Sequence, residues 1–159
     1  MDHSSLEFKK RMEAFESRLR RAGTKLTHQR LEIFRELARS QEHPDAEEVY
    51  RAVRKRVPTI SLDTVYRTLW MLLDLGLIDT LGAHRGRARF DANLELHHHF
   101  VCRRCGLTRD FHSSEFDGLE VPAAVKSFGS IDGTRVEVRG ICLRCSSASK
   151  NRSATRFRL

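Results

Sequence analysis

The sequence predicts an α+β chain in two parts: helices closing in a two-stranded hairpin, then short strands clamped by paired cysteines. Three observations predict it. Apolar residues recur at helical spacing through the first half, with capping residues between the runs. Two short strand-like runs follow, Leu77 to Leu81 and Arg87 to Phe90, around Gly82 to Gly86. After Asn93 the composition changes, and His and Cys cluster.

The first helix is expected over residues 6 to 21, with Leu6, Met12, Phe15 and Leu19 as its apolar stripe and Gly23 past its end. Thr27 is a natural N-cap for a second helix carrying Leu31, Ile33, Phe34 and Leu37. Asp45 and Glu48 have capping-box spacing at the head of a third helix through Val49, Tyr50 and Val53. Pro58 separates it from a fourth, which Ser61 caps and Gly76 ends. In the fourth helix Leu62, Val65, Leu69, Leu72 and Leu73 face inward, while Asp63, Arg67 and Trp70 lie on another face with Tyr66 at its border. Helices followed by a hairpin make a winged helix, a helix-turn-helix variant whose fourth helix would be the DNA-reading element. Further on, a helix is expected from Ser114 to Phe128 and a strand from Thr134 to Ile141. The domains are expected at 1–92, a winged helix, and 93–146, a metal-binding domain, followed by a disordered basic tail at 147–159 that is rich in Ser and Arg.

Bulk properties narrow the function. The chain has 159 residues, 40% hydrophobic, which is enough for a packed core. Lys plus Arg number 29 against 21 acidic residues, a net charge of +8 that suits a polyanionic partner. No apolar run approaches the roughly 20 residues of a membrane span, and the charged start lacks a signal-peptide core. The expected compartment is therefore the cytoplasm, where cysteines more often bind metal than form disulfides.

Cys102-Arg-Arg-Cys105 and Cys142-Leu-Arg-Cys145 are the strongest local motif. Each pair can offer two sulfurs from one turn, and two pairs make a closed tetrahedral site suited to structural Zn²⁺. The long gap between the pairs excludes a compact finger and predicts a clamp across the second domain. Redox dithiols or disulfides are the alternative, without the βαβ setting of a thioredoxin-like motif. In a strand, His97 and His99 share one face and His98 takes the other. Asp91, Asp110 and His43 are further candidate donors, with a turn cap for Asp110 and a plain loop residue for His43 as the alternatives. A set of nitrogen and oxygen without sulfur suits Fe²⁺ or Mn²⁺ better than Zn²⁺. Arg20, Arg21, Lys25, Arg30, Arg67, Arg85, Arg87 and Arg89 are the cations around the winged helix. The candidate DNA-binding residues are Lys25, Arg30, Ser61, Thr64, Tyr66, Arg67, Arg85 and Arg87. Tyr66 and Arg67 are placed to reach base edges.

Several stretches resemble the ferric uptake regulator family: Thr27-His-Gln-Arg30, His43-Pro-Asp-Ala-Glu-Glu-Val-Tyr50, Ser61-Leu-Asp-Thr-Val-Tyr-Arg-Thr-Leu69, Arg89-Phe-Asp91, His97-His-His-Phe-Val-Cys-Arg-Arg-Cys-Gly106 and Gly140-Ile-Cys-Leu-Arg-Cys145. They stand in the family's order over roughly residues 16 to 146. The resemblance implies a C-terminal α/β dimerisation domain and a homodimer that represses transcription from a palindromic double-stranded operator. Within the family the chain is most similar to the peroxide-responsive repressor branch. That branch's regulatory metal site falls on His43, Asp91, His97, His99 and Asp110, and its oxidation targets on His43 and His97. The iron-sensing branch has Glu where Asp91 and Asp110 stand, and a further histidine that would fall near Thr134. The zinc-sensing branch tends to place a cysteine in its regulatory site, and all four cysteines here are in the pairs. The chain departs from the family at His28, where proline is common, at Trp70, and in the basic stretch 83–86. The resemblance implies no enzyme. An iron- or manganese-responsive repressor of uptake genes is the alternative inside the family. A mononuclear metalloenzyme and an RNA-binding zinc protein are the alternatives outside it.

Overall fold

The computed structural model describes residues 3–84 and 87–147. Its elements run α1 (His3–Arg21), α2 (His28–Arg39), α3 (Ala46–Arg54), α4 (Leu62–Asp74), β1 (Asp79–His84), β2 (Arg87–Asp91), β3 (His98–Cys102), β4 (Thr108–Phe111), α5 (Ser114–Asp117), α6 (Ala123–Lys126) and β5 (Glu137–Gly140). The contacts divide the chain into two compact units, 1–94 and 95–159.

The first unit is a winged helix. Each long helix after α1 begins at a side chain that satisfies an orphan backbone donor. The Thr27 hydroxyl accepts from the Arg30 N–H, and Ser61 accepts from the Thr64 N–H. At α3, Asp45 accepts from the Glu48 N–H while the Glu48 carboxylate accepts from the Asp45 N–H, a complete capping box. After α4 the chain needs a left-handed residue, and Gly76 supplies it at φ 61°. The N–H groups of Gly76 and Leu77 then close on the Leu73 and Leu72 carbonyls.

Phe15 and Leu19 of α1 pack with Ile33, Phe34 and Leu37 of α2, Val49 and Val53 of α3, and Val65, Leu69 and Leu72 of α4. The Phe15 and Phe34 rings stack with centroids 4.4 Å apart. Leu62 and Leu73, expected in this core, are half-buried at its edge, and Thr68 is buried in their place. The wing is an antiparallel β1–β2 pair. Its first strand starts at Asp79, later than expected, because Leu77 and Ile78 are buried in the helical core before the hairpin begins.

The second unit holds a three-stranded sheet in the order β4-β3-β5. β3 pairs antiparallel with β4, setting His99 opposite Asp110, and parallel with β5, setting Cys102 opposite Gly140. The helix expected from Ser114 to Phe128 is instead two short turns, α5 and α6. Gly118 ends the first, and Pro122 starts the second; Pro122 has no N–H to continue a helix and restricts Val121 before it. The strand expected over Thr134 to Ile141 shortens to β5. Residues 143–147 are helical, closed by the Ser146 N–H on the Cys142 carbonyl. Residues 148–159 lie outside the described residues.

Candidate metal centres and DNA-reading helix

Cys102 and Cys105 flank the turn from β3 to β4, and Cys142 and Cys145 follow β5. The parallel register that sets Cys102 beside Gly140 brings the two pairs together. All four sulfurs lie within 4.8 Å of one another, and Cys105 Sγ is 3.7 Å from Cys142 Sγ. Sulfurs about 2.3 Å from a tetrahedral zinc stand roughly 3.8 Å apart, so the cluster fits that ion. None of the four thiols is in a disulfide. The backbone N–H groups of Cys142 and Cys105 pull the Cys102 thiol down to about 6. The Leu107 N–H lowers Cys105. Burial, then the neighbouring sulfurs, push Cys145 up to about 12. A dication would displace the protons that the thiols still hold. The charge of the Cys105 sulfur raises the Arg144 guanidinium above its ordinary value, and Arg104 Nη1 donates to the Cys145 carbonyl at 2.7 Å. The arginines between the cysteines therefore serve the cluster, a role that spacing alone did not disclose.

The nitrogen and oxygen donors form two groups, one in each unit. In the first unit His43 is buried, with a left-handed backbone at φ 49°. Arg89 on β2 holds that loop: its Nη1 donates to the His43 carbonyl at 2.7 Å and the Glu42 carbonyl at 3.2 Å. The Phe90 N–H adds a bond to the Pro44 carbonyl. These ties bring His43 Nε2 to 3.7 Å from the buried Asp91 carboxylate. Arg89, counted from sequence among the surface cations, thus works inward.

In the second unit His97 Nδ1 is 2.6 Å from the Glu95 carbonyl, which requires the proton on Nδ1 and leaves the Nε2 lone pair directed away. That Nε2 lies 2.8 Å from Nε2 of His99. Two nitrogens about 2.1 Å from one ion at a right angle are roughly 3 Å apart, so the pair fits adjacent positions on a metal. Asp110, opposite His99 on β4, puts Oδ1 at 3.5 Å from His99 Nε2 and 3.7 Å from His97 Nε2. His98 turns the other way. Its Nδ1 accepts from the Val136 N–H, so its Nε2 donates to Asp117. The exposed His112 ring stands 6.4 Å from that of His97.

On the DNA-reading face, Tyr66 and Arg67 project from α4, with the Arg67 side chain 81% exposed and 2.9 Å from Asp63. Ser61 and Thr64 share a 2.9 Å hydroxyl contact at the start of that helix. Lys25 is exposed, and Arg30 folds back to donate to its carbonyl. A cleft of about 300 Å³ between α2 and α4 is lined by Thr27, Gln29, Arg30, Asp63, Thr64, Arg67 and Thr68. Arg85 and the side chain of Arg87 lie outside the described residues.

A winged helix followed by a small sheet domain with a four-cysteine cluster and a buried imidazole pair is the architecture of a metal-responsive transcriptional regulator. The chain belongs to the ferric uptake regulator family, whose profile matches residues 21–138. It is 36% identical over 127 residues to a peroxide-responsive repressor PerR of Staphylococcus epidermidis, covering 80% of this chain and 85% of that protein. A solved zinc-bound manganese uptake regulator is 33% identical, with a TM-score of 0.64 over 80% of this chain and 98% of its own. The Helicobacter pylori ferric uptake regulator Fur shares the fold at a TM-score of 0.72 and 24% identity, covering 87% of this chain and 93% of that one. Among the described residues no helix is long and apolar enough to cross a membrane.

Proposed function

We propose that the chain is a repressor that binds a palindromic duplex operator as a homodimer, and that it releases the operator when peroxide oxidises its regulatory site. The observation that carries the reading is the His97–His99 pair. Two buried imidazoles with converging Nε2 atoms, one locked by the Glu95 carbonyl, sit beside the Asp110 carboxylate. The family resemblance would add His43 and Asp91 from the winged helix, making a five-donor set suited to Fe²⁺ or Mn²⁺. Because the donors come from both domains, metal binding would favour one arrangement of those domains.

His43, Asp91, His97, His99 and Asp110 would hold Fe²⁺, which when bound would supply the reducing chemistry that activates peroxide. His43 and His97 would be the imidazoles exposed to oxidation. An oxidised ring is a poorer donor, so the tie between the domains is lost. Zn²⁺ at Cys102, Cys105, Cys142 and Cys145 holds the second domain together throughout. Pairing of two copies is supported by β5, an edge strand among the described residues with Val138 exposed, and by Ile141 and Leu143 exposed just after it. The aspartates at 91 and 110 and the similarity to a peroxide-responsive repressor favour this branch.

The second reading is an iron- or manganese-responsive repressor of uptake genes, favoured by the likeness to a manganese uptake regulator. Duplex binding by fluorescence anisotropy separates the two. The zinc-loaded protein is given Fe²⁺ anaerobically, or Mn²⁺, before and after a low dose of peroxide. The expected result is that both metals switch binding on and peroxide abolishes it in the iron form alone. Mass spectrometry should then find an added oxygen on His43 or His97. Indifference of the iron form to peroxide gives the uptake-regulator reading.

A further inference from the structure

Trp70 is the chain's single tryptophan and is 58% exposed on α4. The helix buries Val65, Leu69 and Leu72 and turns Asp63, Tyr66, Arg67 and Trp70 outward. Tyr66, itself 41% exposed, is one turn before Trp70 on the same face, and Arg67 is three residues before it. Long side chains on a helix lean towards its N-terminus, so the indole leans towards the Tyr66–Arg67 turn. A recognition helix meets base edges with its N-terminal residues, and Trp70 continues that outward face one turn further along α4.

The cleft beside this face carries Arg67 on α4 and Arg30 on α2. Its acidic member, Asp63, is already engaged with Arg67. An indole offers phosphates little beyond one N–H donor. What duplex DNA presents to an apolar ring in the major groove is the C5 methyl of thymine.

We propose that Trp70 enters the major groove beside Tyr66 and Arg67 and packs its indole on a thymine methyl, making it a sequence-selecting residue. The proposal rests on the DNA-binding reading above and adds to it a base preference specific to this chain. It predicts that one thymine per half-site is read through its methyl group.

The test uses the full zinc-loaded chain with Mn²⁺ and a fluorescein-labelled duplex that the protein itself enriches from a random-sequence pool. Anisotropy reports binding, and acrylamide quenching of the tryptophan emission reports whether Trp70 is covered. At saturating duplex the quenching should fall several-fold. Thymines are then replaced singly by uracil, which lacks only the methyl. At one position the wild type should lose about fourfold in affinity, the worth of one buried methyl. In Trp70→Asn, already weaker by a similar factor, the same replacement should cost nothing more. Binding with unchanged quenching, or the same uracil profile in both proteins, overturns the proposal. Protection that rises with protein concentration in the absence of duplex also overturns it, and assigns the face to a second copy. If no duplex is enriched, the DNA-binding reading itself fails and takes this proposal with it.

Discussion

Arg89 provides the sharpest check on how the regulatory site is built. His43 holds a left-handed backbone, which costs a non-glycine residue roughly 1–2 kcal/mol. The Arg89 guanidinium offsets that cost by donating to the His43 and Glu42 carbonyls, while lying 3.6 Å from Glu48. Hydrogen bonds from a charged donor contribute about 1.5–3 kcal/mol each when buried. Arg89 is partly solvated, so the two together are set at about 2 kcal/mol. Arg89→Gln removes this clamp and leaves every proposed ligand in place. The loop must then be ordered by the metal itself, and Mn²⁺ affinity should fall roughly 30-fold at 1.4 kcal/mol per decade. Calorimetric titration of the zinc-loaded protein measures it, with His43→Ala setting the scale for loss of a ligand. Circular dichroism checks that the winged helix is intact. An Arg89→Gln protein that binds Mn²⁺ within about threefold of wild type would refute the reasoning, since about 0.7 kcal/mol is too little for two such bonds.

Two further outcomes follow from the same structure. Glu32 is 3% exposed: burial pushes its carboxyl up, but the Arg56 hydrogen bond and the charges of Arg35 and Arg56 outweigh burial and hold it below 4.5. A carboxyl lowered on folding adds stability above its unfolded value and loses it as pH falls through the folded one. Thermal melts of Glu32→Gln should therefore show a flatter decline below pH 4.5, and at neutral pH a loss of about 2 kcal/mol, less than a fully buried pair because Arg56 is partly exposed. An equal slope in both proteins would remove Glu32 from the acid response. At the cysteine cluster, a tetrathiolate around a dication keeps a net negative charge that Arg144 partly neutralises. Arg144→Gln should lose zinc several-fold faster to a coloured chelator, and more so at low salt; identical release rates at both ionic strengths would show that Arg144 does not act through charge.

The parts of the fold that can be read from sequence are those fixed within a few residues. Thr27, Asp45 with Glu48, and Ser61 cap their helices because each needs only a donor three positions on. The two cysteine pairs could be assigned to one ion from residue chemistry. The device that joins them could not, because a parallel β3–β5 pairing depends on a crossover of more than thirty residues with no local signature. The helix expected over 114–128 failed for the opposite reason: its apolar spacing ignored Gly118 and Pro122, whose backbone limits outweigh periodicity. Charge was the least legible property. Arg67 and Arg89 are both arginines near the winged helix, yet one stands in solvent and the other is spent on the His43 loop.

The three consecutive histidines show how alternation divides labour. Strand geometry sends His97 and His99 to one face and His98 to the other, and each face completes its histidines differently. On the first, a backbone carbonyl takes the His97 Nδ1 proton and an aspartate stands opposite His99, so both Nε2 atoms converge on one point. On the second, the Val136 N–H and the Asp117 carboxylate engage both nitrogens of His98, leaving neither lone pair for a metal. Identical side chains thus become proposed ligand and scaffold through the hydrogen bonds made by their far nitrogens. The same partners explain why Val136 and Asp117, distant in sequence, sit beside β3. A buried imidazole with both nitrogens engaged ties the start of β5 and the α5 turn to the strand that carries the ligands, and so fixes the angle at which His97 and His99 meet.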